Sequence, residues 1–110
     1  MSNAMSEIET LVQQFRAGTQ NVRDYLAELE ARFVAQEPVI FSFVPEPRRW
    51  ERVHQEAAAL EAQYPDPTQR PPLFGLPVGI KDIFRVDGLP TRAGSQLPAE
   101  VLAGAESVVR

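Results

Sequence analysis

Lys81 is the residue in this sequence whose type and position best suit acid–base chemistry. It is the only lysine in the chain, and every other side chain of permanent positive charge is an arginine. Arginine stays protonated in proteins, whereas a buried lysine can lose its proton and act as a base. The apolar residues 73–80 (LFGLPVGI) come directly before Lys81. We therefore predict that residues 73–80 form a short buried strand with Lys81 and Asp82 at its end.

The competing interpretation is an ordinary solvated lysine paired with Asp82, since lysine is rarely fully buried. The sequence on both sides of Lys81 argues against it. Residues 75–82 read GLPVGIKD, and residues 88–95 read GLPTRAGS. Together they resemble the amidase signature family, whose pattern is close to G-[IL]-P-[VIF]-[GA]-[VIL]-K-D followed by G-x-x-T-x-x-G-S. Both halves fit without a mismatch and at the family's spacing, so the resemblance is specific.

The resemblance implies a chemistry and a role for Lys81. Enzymes of this family hydrolyse or transfer amide nitrogen with a Ser–cis-Ser–Lys triad, and Lys81 falls on the triad lysine. A serine hydroxyl is a poor nucleophile until a base takes its proton, which a neutral lysine can do through a bridging serine. The resemblance implies supporting roles for Asp82, Gly79 and Ser95, with Asp82 orienting Lys81 or capping backbone amides. It implies no cofactor and no metal.

The rest of the implied site is missing from the sequence. The family's nucleophilic and bridging serines lie in Gly-Ser-rich segments well downstream of the lysine, and the sequence contains no G-G-S-S or S-G-G-S. Ser95 matches a structural position of the pattern, not the nucleophile. Residues 105–110 (AESVVR) look like the start of a helix without a stop signal. We therefore expect an inactive N-terminal fragment that is not a stable monomer. It should either self-associate by exchanging residues 71–95 or leave that segment disordered while the helices pack.

Three functions remain open at this point. The first is the N-terminal part of an amidase-signature hydrolase that acts on a small amide substrate. The second is the amidase-type subunit of a glutaminyl- or asparaginyl-tRNA amidotransferase, which uses the same triad to release ammonia. The third is a non-enzymatic interaction module, in which the helices bind another protein and Lys81 is vestigial.

Composition excludes several other classes of protein. The chain has no cysteine, which rules out disulfides, zinc–thiolate sites and thiol nucleophiles. Its formal net charge of −4 argues against a nucleic-acid backbone as the principal partner. It has neither a signal-peptide pattern nor an apolar run near the roughly 20 residues that span a bilayer. We therefore expect a cytoplasmic protein with no membrane contact.

Three amphipathic helices are predicted before the Lys81 motif. Gly18 is expected to end the first helix, Asn21 to cap the second and Pro47 to open the third. Apolar residues recur at helical spacing within each of them. The predicted spans are residues 6–17, 21–36 and 47–63.

The connecting segments contain most of the prolines. Pro38 is expected to end the second helix, so that residues 39–44 (VIFSFV) form a short strand or an extended segment. His54 is assigned to a helix surface with no catalytic role. The resemblance implies an α/β fold, a mixed sheet flanked by helices, to which this chain contributes mainly helices and one or two short strands. The predicted divisions are a vector-derived leader, a helical region and the start of the amidase core (residues 1–4, 5–64 and 65–110).

Overall fold

The computed structural model describes residues 6–82 and 84–107. The predicted leader, residues 1–4, lies outside them. The chain divides into two compact units, Met1–Pro77 and Val78–Arg110, which we call the helical unit and the C-terminal unit. The helical unit contains three helices: α1 (Glu7–Ala17), α2 (Val22–Ile40) and α3 (Arg49–Gln63). Short 3₁₀ turns follow at Pro67–Gln69 in the helical unit and Ala99–Val101 in the C-terminal unit.

Local capping signals fix both ends of α1 and the start of α2. The hydroxyl of Ser6 accepts a hydrogen bond from the backbone N–H of Glu9 at 3.1 Å. Gly18 ends α1 in the left-handed region, with φ at 79°. The Asn21 side chain caps α2 by accepting a hydrogen bond from the Asp24 N–H at 3.1 Å. The predictions for Gly18 and Asn21 are confirmed, whereas the Ser6 cap had not been predicted.

The end of α2 differs from the prediction. The helix continues past residue 36, through Pro38, to Ile40. Proline in a helix removes one hydrogen bond to the preceding turn, but near the C-terminus the helix can end normally beyond it. The expectation that Pro38 ends the helix was therefore wrong, as was the short strand at residues 39–44: Val39 and Ile40 are helical, and residues 41–44 form no strand.

The carboxylate of Glu37 holds the chain where it leaves α2. It accepts hydrogen bonds from the N–H and the hydroxyl of Ser42, both at 2.9 Å, and from the N–H of Phe43 at 2.8 Å. Phe41 takes the left-handed conformation and donates its N–H to the Glu37 carbonyl at 2.9 Å. One side chain therefore satisfies two backbone donors that follow the helix. These hydrogen bonds offset the one that Pro38 cannot donate.

We predict that this cap weakens in acid. Although reduced hydration opposes ionisation, hydrogen bonds from Phe43 and Ser42 and the charge of Arg49 hold the pKa of Glu37 below its ordinary value of 4.5. A carboxyl group with a lowered pKa stabilises the folded state above its ordinary pKa, and this contribution is lost as the pH falls through the folded-state pKa. Helicity measured by circular dichroism should therefore fall in acid below pH 4.5.

A neutral substitution at the cap tests this prediction at constant pH. Glu37→Gln should reduce helicity at pH 7 and flatten its dependence on pH below 4.5. Glu28→Gln is the matched control, since Glu28 lies exposed on the same helix. Identical acid titrations of helicity in the wild type and Glu37→Gln would contradict the cap.

The core of the helical unit is small and is centred on Phe15, which is fully buried. The ring of Phe15 meets the ring of Tyr25 edge to face, with centroids 5.5 Å apart. On the side of α3, His54 Nε2 lies 2.7 Å from Glu30 Oε1 of α2. His54 is therefore a half-buried contact between two helices and not a free surface residue. The buried apolar side chains are Phe15, Val22, Leu26, Ala57 and Phe74.

The third helix begins two residues later than predicted, at Arg49 instead of Pro47. Arg48 precedes it in the left-handed conformation, with φ at 60° and no side-chain cap. Glu46 instead ties the start of the helix to the loop before it, because its carboxylate accepts a hydrogen bond from Arg52 Nε at 2.7 Å. Within the described residues, no helix is long and apolar enough to cross a membrane.

Arg70 closes the helical unit after α3. Its Nη1 donates to the Phe15 carbonyl at the end of α1 (2.8 Å), and its Nε donates to the Tyr64 carbonyl after α3 (3.1 Å). The guanidinium also stacks on the ring of Phe74, 4.5 Å from the ring centroid. The proline-rich segment after α3 therefore folds back onto the helices.

Candidate functional site

The apolar residues before Lys81 form turns and extended loop, not a buried strand. The N–H of Phe74 donates to the Pro71 carbonyl and the N–H of Leu76 to the Leu73 carbonyl, both at 3.1 Å. Two turns within six residues, with a proline that cannot donate, leave no length for strand pairing. Of the large apolar side chains here, only Phe74 is buried, whereas Leu73, Val78 and Ile80 are 64%, 69% and 41% exposed. The strand prediction for residues 73–80 was wrong.

Lys81 itself is exposed in the C-terminal unit. Its backbone carbonyl accepts a hydrogen bond from the Phe84 N–H at 3.1 Å. Its side chain makes no hydrogen bond or ion pair with the part of the chain that the structure describes. The expected burial by the preceding apolar residues is therefore not found, because Val78 and Ile80 next to Lys81 are themselves exposed.

Asp82 joins the two halves of the motif. Its carboxylate Oδ1 accepts a hydrogen bond from the Arg92 N–H at 3.1 Å, and its backbone carbonyl accepts one from the Ala93 N–H at 2.9 Å. The side chain is half-buried. These bonds bring a residue of the first half, next to Lys81, into contact with the loop of the second half.

Ser95 stabilises the turn that ends the second half. Its hydroxyl donates to the Arg92 carbonyl at 2.7 Å and accepts from the Leu97 N–H at 3.3 Å. Its backbone N–H also donates to the Arg92 carbonyl at 2.9 Å. Ala93 and Gly94 between them have φ of 51° and 72°, the pattern of a type I′ turn. The Ser95 hydroxyl is thus engaged in local hydrogen bonds.

The segment between the two halves forms a tight turn at Asp87-Gly88, as predicted. The N–H of Leu89 donates to the Val86 carbonyl at 3.0 Å, and Gly88 has φ of 84°. The isolated bridge between Val86 and Leu89 is the one β pairing in the described residues, which contain no strand. The predicted one or two strands are therefore absent from them.

The predicted helix at residues 105–110 is not formed where it can be assessed. Residues 105–107 are not helical, and residues 108–110 lie outside the described part. Ser107 instead pairs with Arg85: its hydroxyl accepts from the Arg85 N–H at 2.7 Å, and its N–H donates to the Arg85 carbonyl at 2.8 Å. Nothing in the motif singled out Arg85, whose hydrogen bonds with described residues are to Leu102 and Ser107, at least 17 positions later.

The first two glycines of the motif lie in different surroundings. Gly75 has φ of 78°, and a Cβ atom there would lie 2.6 Å from Val22 Cγ2 and 3.3 Å from Phe15 Cδ2. Gly79 is exposed, and a Cβ atom there would meet nothing within 4 Å. Gly75 is therefore needed for packing against α1 and α2. The structure provides no steric reason for Gly79, whose supporting role stays a prediction.

No group of three or more His, Asp or Glu side chains within residues 6–82 and 84–107 is placed to hold a metal ion. The chemistry that the site can supply on its own is therefore that of an exposed amine, with the adjoining backbone fixed by Asp82. A hydroxyl nucleophile beside that amine is not found in the described residues, since Ser95 is engaged in its turn.

Comparison with known proteins identifies the family. The family model described as Amidase matches residues 47–110, more than half of the chain and both halves of the motif. No solved structure matches at comparable significance.

Three curated relatives agree with this match. The 1-carboxybiuret hydrolase subunit AtzE of Pseudomonas sp. is 31% identical over 79% of this chain. The glutamyl-tRNA(Gln) amidotransferase subunits A of Nitratidesulfovibrio vulgaris and Chloroflexus aggregans are each 38% identical, over 69% and 63% of this chain. The chain spans 19%, 17% and 14% of the lengths of these three relatives. By its motif, the family match and these relatives, the chain belongs to the amidase family.

Proposed function

We propose that this chain supplies the lysine-bearing part of an amidase that cleaves the C–N bond of a carboxamide. The observation that carries the proposal is the unbroken motif of residues 75–82 and 88–95, which lies within the family match. The hydrogen bonds from the second half to Asp82 add support, because they fix the backbone next to Lys81.

In the proposed reaction, Lys81 is the general base of a Ser–cis-Ser–Lys triad. The neutral amine takes a proton from the bridging serine, which takes one from the nucleophilic serine. The activated serine oxygen attacks the carbonyl carbon of the substrate amide. The nitrogen of that amide then leaves as it receives a proton. Water then hydrolyses the resulting ester and regenerates the serine. Both serines and the backbone amides that stabilise the oxyanion would come from other parts of an amidase domain.

The exposure of Lys81 agrees with a site in which other parts of an amidase domain supply the remaining groups. A lysine becomes an effective base where it is shielded from water, and the nearest apolar side chains before it, Val78 and Ile80, are exposed as well. The proposed complete enzyme has an α/β fold, with a mixed sheet flanked by helices. Other segments of that fold would cover Lys81 and the apolar side chains before it. The spans of 14–19% of the relatives' lengths leave ample polypeptide for that purpose.

A second candidate is the amidase-type subunit of a tRNA-dependent amidotransferase. Two relatives carry that function in their names, and all three are named as subunits, which favours protein partners. Hydrolysis and nitrogen transfer would use Lys81 in the same way. Co-purification of a stable partner subunit, together with transfer of ammonia to an acceptor, would favour this candidate over a hydrolase.

We predict that the 110-residue chain alone does not hydrolyse simple amides such as propionamide. A base without its nucleophile or oxyanion donors cannot form the acyl intermediate. The measurement is ammonia release by the purified chain, with buffer and Lys81→Ala as controls. Turnover by the chain that disappears in Lys81→Ala would contradict the proposal that the serines come from elsewhere.

A further inference from the structure

A cavity of about 240 Å³ lies in the C-terminal unit, apart from the Lys81 amine. Residues 85–91 line one side of it, and Glu100, Ala103 and Gly104 line the other. Pockets for drug-sized ligands usually measure about 300–1,000 Å³, so this volume suits a smaller molecule. The lining is mixed: charged side chains and the backbone of the Asp87-Gly88 turn lie beside apolar residues such as Val86 and Leu89.

The Arg85 guanidinium is held in a defined position at this cavity. Its Nε donates to the Leu102 carbonyl at 2.9 Å. A Cβ atom on Gly104 would lie 2.9 Å from the same Nε and 3.1 Å from Cζ, so the guanidinium packs directly on the glycine backbone. The two-way pairing with Ser107 fixes the Arg85 main chain. Side-chain freedom is therefore already restricted before any ligand binds.

The remaining donors of Arg85 are unused. Neither Nη atom makes a hydrogen bond or ion pair with any described residue. A guanidinium with its two terminal nitrogens free is suited to bind a carboxylate with two parallel hydrogen bonds.

Two carboxylates lie on the same cavity as this positive charge. Asp87 and Glu100 both line the cavity, and neither side chain has a partner in the parts of the chain that are described. A simple anion would meet Arg85 but be repelled by both acids, and a simple cation would be repelled by Arg85. A ligand that carries both charges satisfies the three side chains together.

We propose that this cavity binds a small zwitterion of the α-amino acid type. Arg85 binds the ligand carboxylate, and Asp87 and Glu100 attract its ammonium group. A larger residue at position 104 would force the Arg85 guanidinium to shift from its present position. This site is separate from the proposed amide chemistry, and its test does not depend on activity.

The test is titration of the isotopically labelled chain with three probes, followed by backbone amide chemical shifts. L-alanine carries both charges, propionate has only the carboxylate, and ethylamine has only the ammonium group. L-alanine should give saturable shifts confined to residues 85–91 and 100–104. Propionate and ethylamine each lack one of the two charged groups, so each should bind at least about tenfold more weakly than L-alanine. Equal responses to all three probes, or no saturable response to L-alanine, would overturn the proposal.

Three variants assign the contacts. Arg85→Gln should weaken L-alanine binding about tenfold or more, because the bidentate partner is lost. Glu100→Gln leaves Arg85 and its contacts in place, and should weaken L-alanine but not propionate. Arg92→Gln is the control, since this arginine lies in the same unit and outside the cavity lining. The proposal would also be overturned if Arg85→Gln bound L-alanine as tightly as the wild type, or if Arg92→Gln weakened binding as much as Arg85→Gln does.

Discussion

Replacing Gly75 with alanine is expected to lower the free energy of unfolding of the helical unit by about 2–5 kcal/mol. Two independent effects contribute. The φ of 78° places an alanine in the left-handed region, and its Cβ would lie 2.6 Å from Val22 Cγ2. Phe15, the most buried side chain of the core, lies on the same side at 3.3 Å. The core therefore cannot accommodate the methyl group without moving.

Gly79→Ala is the matched control for this prediction. It changes the other glycine of the same motif, where a Cβ atom has open space and φ is not positive. We expect it to change stability by less than about 0.5 kcal/mol, as for a surface substitution. Urea denaturation followed by helicity measures both variants. Equal effects of the two substitutions would show that Gly75 does not pack against α1 and α2 as described.

Replacing Lys81 with alanine should abolish catalysis in an amidase that contains this chain. The nucleophilic serine would lose its proton acceptor, which we expect to cost several kcal/mol of transition-state stabilisation, or about 10³-fold or more in kcat/KM. Lys81→Arg should be as damaging, since a guanidinium does not accept a proton at neutral pH. The measurement is steady-state hydrolysis of a small amide.

Arg23→Gln serves as the control for the Lys81 variants. It also removes one positive charge, but from an exposed position on α2. Its kcat/KM should stay close to that of the wild type. If Lys81→Arg retained most of the activity, a positive charge and not a proton acceptor would be required at this position.

The helices were predictable from the sequence because their signals are local. Ser6, Gly18 and Asn21 act on backbone groups within four residues of themselves, and the structure shows each of those caps. The end of α2 was not predictable in the same way. The helix continues through Pro38, and the Glu37 carboxylate then accepts hydrogen bonds from the N–H groups of Ser42 and Phe43, five and six positions later.

The strands were wrongly predicted because hydrophobicity alone does not provide a pairing partner. Residues 39–44 and 73–80 both have the apolar composition of buried strands, yet most of their large side chains are exposed. A strand needs a neighbour at hydrogen-bonding distance, and the described residues contain one isolated bridge. Burial of these apolar segments would have to come from other polypeptide, as would the shielding of Lys81.

The motif identified the family and the residue best suited to be the base, but not the contacts around it. The spacing of its two halves gave no indication that Asp82 would bind the backbone of Arg92 and Ala93. Arg85 was not distinguished at all, because its partners are Leu102, Gly104 and Ser107. Contacts over such sequence distances depend on how the loops fold back.

Chemical rescue of Lys81→Ala is the most direct test of the central claim that Lys81 is the proton acceptor. The measurement is amide hydrolysis by the complete enzyme with increasing concentrations of methylamine. A small amine that occupies the vacated space can accept the proton, so part of the lost activity should return and saturate. The wild type and Arg23→Gln should not respond. Activity of Lys81→Ala that stays near the wild-type level without amine would contradict the account.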